Sequence, residues 1–306
     1  MLMDRFDSLA LFTRIVETGS FTRAANGLEI PRATATLAIQ QLEARLGARL
    51  LERTTRQVRP TPEGQAFYER CVHVLSELEE AEAAIKPIAT NPRGVLRVEM
   101  HGAQAQQIVL PRIQEFRRRY PRLDVVLTSG DRRVDLVGEG IDCALRAGVP
   151  EDSSLVARKL AELSQVICAS PDYLSRAGYP CHPGELRDHQ VVRFFSGSNA
   201  VDSTLDVIVN GRSQSFEAGG WMTVNDASSY VAAALNGCGL IQLPRFHVER
   251  MLECGELEEV LADWDKPALP LWAIYPQRRQ LSPRVRVFID WAAAVYGERF
   301  DRDRSA

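Results

Sequence analysis

Arg32, Ala33, Thr34, Thr36 and Gln40 are the residues of this chain whose types and spacing bear most directly on chemistry. An arginine fork donates two parallel hydrogen bonds to a guanine edge or a phosphate. A glutamine amide pairs with adenine, and a threonine can approach either a base or a thymine methyl. Such groups read a duplex only when one rigid element projects them together. Arg53 and Arg56, a little downstream, suit contacts to the DNA backbone.

The element that must position them lies between Phe21 and Glu43, FTRAANGLEIPRATATLAIQQLE. Two helical patterns meet at a break around Glu29-Ile30-Pro31. Ala25, Leu28, Ile30, Ala35, Ala38 and Ile39 fall where two crossed helices touch, and the small Ala25 permits close approach. The polar remainder lies on the outer face of the second helix. This is the layout of a helix-turn-helix, whose second helix enters the major groove. Phe6, Leu9, Phe12, Ile15 and Val16 predict a helix packed beneath the pair. Leu46-Gly47 ends the second helix, and the extended stretch from Leu50 through Val58 predicts a hairpin, or wing. All basic residues in the first sixty positions are arginines, a positive excess within a chain of formal net charge −3.

Pro62 to Ile85 carry Phe67, Cys71, Val74, Leu78, Ala81 and Ile85 four and three residues apart, with Glu69, Arg70, Glu77, Glu79, Glu80 and Glu82 on the other faces. That is the seam of a two-stranded coiled coil, and a dimer would double the phosphate contacts. A single amphipathic helix lying on its own domain gives the same spacing. Pro87 and Asn91-Pro92-Arg93-Gly94 mark a hinge. From Val95 onward strands alternate with helices, including predicted helices over Ile108–Tyr120 and Arg133–Glu139, which implies α/β sheets with binding at strand ends.

These motifs carry a resemblance. Phe21, Ala24-Ala25 and Leu28; Ile39, Leu42-Glu43 and Leu46-Gly47; Leu50, Glu52-Arg53-Thr54 and Arg56; and Thr61-Pro62-Glu63-Gly64 resemble the N-terminal domain of LysR-type transcriptional regulators. Phe116 to Pro121, Val134-Asp135-Leu136, Asp142 to Gly148 and Leu281-Ser282-Pro283 are similar to the family's C-terminal part. Where the family usually opens its recognition helix with a serine-glutamine pair, this chain has Pro31-Arg32. The resemblance implies an all-α winged helix-turn-helix domain (residues 1–61) and a linker and dimerisation helix with hinge (62–92). An α/β effector domain follows (93–306), with two subdomains like a periplasmic binding protein (about 93–163 with 268–306, and 164–267). It implies crossovers near Leu163-Ser164 and Pro267–Leu269, a small-molecule effector in the cleft, double-stranded DNA as partner and a homodimer, often assembled to a homotetramer. RNA polymerase is a further partner consistent with the family.

Strand ends and helix starts nominate Gly102, Ala103, Gln104, Thr128, Ser129, Ala147, Ser196, Gly197 and Asp226 for the cleft. Gly102-Ala103 replace the hydroxyl residues that family members often place there, which weakens the case for a carboxylate effector. Asp226 reads as a helix N-cap ahead of a ligand contact, and Arg146 as either an effector contact or half of an internal salt bridge.

Composition adds bounds. Hydrophobic residues make up 45% of 306, ordinary for a globular chain with more than one core. No apolar run approaches a membrane span and no secretory leader stands at the start, so the expected location is the cytoplasm. The six cysteines form no CxxC pair and the five histidines show no metal spacing, so no metal or cofactor is expected. A P-loop, a GxSxG elbow and a Rossmann glycine motif are absent, and Ser196 has no identifiable histidine partner, which argues against an enzyme. A cysteine-based redox sensor of the same family is the other alternative.

Overall fold

The computed structural model describes residues 4–28, 30–53, 58–85, 92–131, 135–148, 155–195, 201–276 and 281–300. The chain divides into two compact units, residues 1–90 with 137–140, and residues 91–136 with 141–306.

In the first unit, α1 (Arg5–Thr18), α2 (Phe21–Gly27) and α3 (Arg32–Leu46) are each delimited by local chemistry. The Asp4 carboxylate accepts the Phe6 N–H, the Ser20 hydroxyl accepts the Arg23 N–H, and Gly19 and Gly47 take the left-handed conformation that ends α1 and α3. Leu11, Phe12, Ile15, Ala24, Ala25, Ala35, Ala38, Ile39 and Leu42 close one core. Leu28, expected inside, is 37% exposed because α2 has already ended there. Strands β1 (Leu51–Arg53) and β2 (Val58–Pro60) pair antiparallel as the wing. The long helix α4 (Pro62–Ile85) then starts.

The expected dimer seam needs a correction at its N-terminal end. Cys71 is buried within the winged-helix core, and Phe67 packs against that core with its ring 5.5 Å from Phe12. These two residues face their own domain. The heptad pattern identified an apolar face without saying what covers it.

The second unit holds a five-stranded sheet in the order β4-β3-β5-β15-β6, built from β3 (Gly94–Met100), β4 (Leu123–Ser129), β5 (Cys143–Ala147), β6 (Leu155–Leu163) and, from far along the chain, β15 (Leu269–Pro276). β3 runs parallel to β4 and β5, whereas β15 is antiparallel to β5 and β6. Between β3 and β4, irregular helical turns from Gly102 to Arg112 lead into α5 (Ile113–Arg119). The helical run therefore begins six residues before the expected Ile108, directly at the end of β3. The helix expected over 133–139 is not formed among its described residues, which lie in turns from 136 to 140. β6 was not foreseen, since LVARKLAEL spaces its apolar residues as a helix does.

The chain then passes into a second subdomain. It contains β7 (Gln165–Ala169), α6 (Pro171–Ala177), β8 (Arg193–Phe195), β9 (Val201–Asp202), β10 (Thr204–Val209), β11 (Arg212–Glu217) and β12 (Thr223–Val224). After these come α7 (Ala227–Leu235), β13 (Ile241–Pro244), α8 (Glu249–Glu253) and β14 (Glu258–Val260). β7 lies between β13 and β14, antiparallel to both, and buries apolar residues on both faces. β15 returns the chain to the first sheet. The closing helix α9 (Pro283–Phe300) packs Phe288 and Trp291 against Phe116 of α5, with ring centroids at 5.7 and 5.1 Å.

Candidate functional site

The first site is the outer face of α3. Ala35, Ala38, Ile39 and Leu42 are buried, so at roughly 100° per residue the direction facing away from the core passes through Ala33, Leu37, Gln40 and Ala44. Arg32 and Thr36 flank that line on one side, Thr34 and Gln41 on the other. Arg32, Ala33, Thr34 and Gln40 are exposed and Thr36 is half-buried. Leu37, passed over in the sequence because it is apolar, is 55% exposed at the centre of this face. An exposed leucine between polar neighbours, one turn from both Ala33 and Gln40, was the available signal. Pro31 is the N-cap, with extended backbone (φ −62°, ψ 140°) and no side-chain cap, so no side chain competes for the first N–H groups of the helix.

α3 is tied to the wing by one carboxylate. Glu43 Oε1 accepts the backbone N–H of Leu50 at 2.8 Å and of Leu51 at 3.1 Å. The Leu42-Glu43 pair thus does two things: leucine closes the core, and glutamate fixes where β1 starts. Arg53 stands at the end of β1 opposite Val58. Arg56 lies outside the described residues.

The second site is a cavity of about 340 Å³ in the second unit, between its two subdomains. Of the nine residues nominated from sequence, Gln104 and Ala147 line it. Gly102 and Ala103 begin the helical run without reaching it, and Thr128 and Ser129 are exposed at the end of β4. Ser196 and Gly197 lie outside the described residues. Asp226 is the N-cap of α7, its carboxylate accepting the Ser229 N–H at 2.9 Å. Arg146 resolves as the internal pair: it is bound to the buried Glu99 and donates to the Gly130 carbonyl at 3.3 Å.

What sequence reasoning missed is the polar centre of the cleft. His101 Nδ1 and Asp131 Oδ1 are 2.7 Å apart, and Asp131 Oδ2 accepts the Ala227 N–H at 2.6 Å. Asp131, carried by the loop after β4, therefore holds the first turn of α7 in the other subdomain. Burial works against its charge, but the hydrogen bond and charge of His101, with the Ala227 N–H, hold its carboxyl below the usual range. His247 faces the same pair. Burial, helped by the nearby His101, pushes its imidazole down to about 4. Phe194 and Tyr230 add an edge-to-face aromatic pair with centroids 5.4 Å apart. Among the described residues no group of His, Cys, Asp and Glu is arranged to hold a metal ion.

The geometry also bears on the redox alternative. Cys143 and Cys168 are buried, and burial raises both thiols, Cys168 to about 12. Protonated, enclosed thiols react slowly with oxidants. No helix among the described residues is long and apolar enough to cross a membrane.

A winged helix-turn-helix followed by a two-subdomain ligand-cleft domain defines a class of one-component transcriptional regulator. Residues 6–65 match the family described as bacterial regulatory helix-turn-helix protein, lysR family, and residues 89–297 match the LysR substrate binding domain. The chain belongs to the LysR family of transcriptional regulators. It is 40% identical over 299 residues to the HTH-type transcriptional regulator YhjC of Escherichia coli K12, covering 98% of this chain and 100% of that protein. Among solved structures it is similar to the LysR-type regulator CrgA of Neisseria meningitidis (31% identity, TM-score 0.58, covering 95% of this chain and 98% of that one). It is also similar to the full-length virulence activator AphB of Vibrio cholerae (28% identity, TM-score 0.55, covering 96% and 100%).

Proposed function

We propose that this regulator binds its operators as a cytoplasmic homodimer, further assembled to a homotetramer, and that a small molecule in the cleft changes operator binding or contact with RNA polymerase. The observation that carries this reading is the outer face of α3, where Arg32, Ala33, Thr34, Thr36, Leu37 and Gln40 surround a direction opposite the buried core. In this reading Arg32 and Gln40 donate to base edges, Leu37 meets a thymine methyl, and Arg53 and Arg56 hold the backbone through the wing. The division into residues 1–61, 62–92 and 93–306 belongs to the same proposal.

Arg32→Ala is expected to lose about 1–3 kcal/mol at one base pair of a mapped operator and to relax preference there. Arg53→Ala should instead weaken all sites alike and lower the slope of affinity against salt by about one. Fluorescence anisotropy on an operator and its single-base variants checks both. Intact affinity and preference in Arg32→Ala would remove the recognition assignment.

The dimer seam is proposed for the part of α4 beyond Cys71, that is Val74, Leu78, Ala81 and Ile85. Val74 is 42% exposed within its own chain and Leu78 half-buried. Two glutamates in the seam, Val74→Glu with Leu78→Glu, place like charges face to face across a two-fold axis. The doubly substituted protein is expected to sediment as a monomer and bind operator at least tenfold more weakly; a dimer of unchanged mass would exclude this seam.

A further inference from the structure

The cleft presents three carboxylates, and several of its donors are engaged within the protein. Its described wall carries Asp131, Asp202 and Asp206 but neither lysine nor arginine. Arg146 of β5 is held by Glu99. The start of α7 is occupied by the protein's own carboxylates: Asp131 takes the Ala227 N–H and Asp226 the Ser229 N–H. The side-chain donors are turned away in the same manner. Gln165 Nε2 donates to the Pro267 carbonyl at 2.8 Å and Gln242 Nε2 to the Asp206 carbonyl at 2.9 Å. The Thr204 hydroxyl lies 2.7 Å from Asp202 Oδ1, to which it donates.

One acceptor is left over. Gln104 is 1% exposed and lines the cavity, and its Oε1 has no hydrogen-bond partner among the described residues. A buried carbonyl oxygen without a donor is costly unless something else supplies one. The rest of the wall is apolar or aromatic, with Val191, Leu243 and the crossed rings of Phe194 and Tyr230. Ring faces of this kind attract cations.

We propose that the effector of this cleft is a small protonated amine with an apolar body, its ammonium group donating to Gln104 Oε1 and to the carboxylate of Asp131. The proposal rests on the cleft being the effector site. It runs against the carboxylate ligand that a helix N-terminus in such a cleft would otherwise suggest. His101 already shares the Asp131 carboxylate through Oδ1, and His247, its imidazole lowered by burial, adds no further positive charge near neutral pH.

The experiment is calorimetry on the full-length protein with matched pairs of probes at up to millimolar concentration: 2-phenylethylamine against 3-phenylpropanoate, and isoamylamine against 4-methylpentanoate. An amine of either pair is expected to bind about tenfold or more tightly than its carboxylate counterpart. Gln104→Leu and Asp131→Asn are each expected to weaken that amine about tenfold. Both variants must retain a cooperative thermal transition. Asp131→Asn still offers an acceptor to Ala227, so loss of amine affinity there without loss of folding separates charge recognition from support of α7. A carboxylate that binds as well as its amine counterpart, or no heat from any amine, overturns the proposal. Carboxylate binding that Phe194→Ala abolishes would do so while leaving the effector reading of the cleft in place. Amine binding with no change in operator affinity would do the reverse, upholding the ligand class and removing the effector role.

Discussion

Gly64→Ala is expected to destabilise the winged-helix unit by about 3 kcal/mol, although the residue lies in the first turns of a helix where alanine is intrinsically preferred by about 1 kcal/mol. Thr61 starts α4 by accepting the Gly64 N–H at 2.9 Å on its hydroxyl, which also donates to the Arg49 carbonyl at 2.7 Å. The Thr61 N–H donates to the Leu50 carbonyl at 3.0 Å. These bonds draw the Arg49-Leu50 backbone onto the first turn of α4. A Cβ on Gly64 would lie 1.9 Å from the Leu50 oxygen. That oxygen cannot retreat without losing Thr61, and Leu50 itself is buried at 2% exposure. Overpacking and a broken hydrogen bond together outweigh the gain in propensity. All four tryptophans (Trp221, Trp264, Trp272 and Trp291) lie beyond residue 90. Urea unfolding followed by circular dichroism should therefore show an early helical transition that tryptophan fluorescence does not see. An unmoved or later first transition would mean the close approach is not made.

The same glycine shows how motif and mechanism differ. Thr61-Pro62-Glu63-Gly64 was recognisable as a pattern, yet its reason is a backbone approach between segments eleven or more residues apart, which no local propensity records. Leu42-Glu43 is similar: the leucine was legible from helical spacing, whereas the carboxylate bridge to Leu50 and Leu51 depends on how the wing turns. The helix pair and its face were legible because the apolar spacing at Ala35, Ala38, Ile39 and Leu42 alone determines the opposite side. Periodicity could not assign the partner of an apolar stripe, and so Phe67 and Cys71 were read as dimer contacts when they cover their own core. In the cleft, the strand-end rule found Gln104 and Ala147. It could not find His101, Asp131 and His247, which come from the end of β3, the loop after β4 and the short helical turn Arg245–His247, and meet only where the two subdomains come together around Asp131 and the first turn of α7.

Stability of the cleft unit is expected to fall by about 2 kcal/mol between pH 7 and pH 5 on account of His247 alone. Its imidazole titrates at about 4 in the folded chain against an ordinary value of 6.5, chiefly because burial disfavours the cation, with His101 adding to the effect and Asp131 partly offsetting it. The folded state thus binds fewer protons than the unfolded one across this interval. The stabilisation is fully present above the unfolded value and is lost as pH falls from about 6.5 toward 4, reaching about 3 kcal/mol in total. His189, also lowered by burial, contributes with the same sign. Asp131 acts in another window: its carboxyl is held below the ordinary range, so its contribution persists above the unfolded carboxylate value and is lost only under stronger acid. The interval from pH 7 to 5 therefore isolates the histidines. Tryptophan fluorescence reports this unit, and urea midpoints at the two pH values give the difference directly. His247→Gln keeps a polar side chain without a titrating proton, and its pH dependence should be flatter than that of the unsubstituted chain by about 2 kcal/mol. Equal losses in the two proteins would show that His247 is not held neutral against the cleft. The amine expected in that cleft would then face a cation where burial favours an uncharged ring.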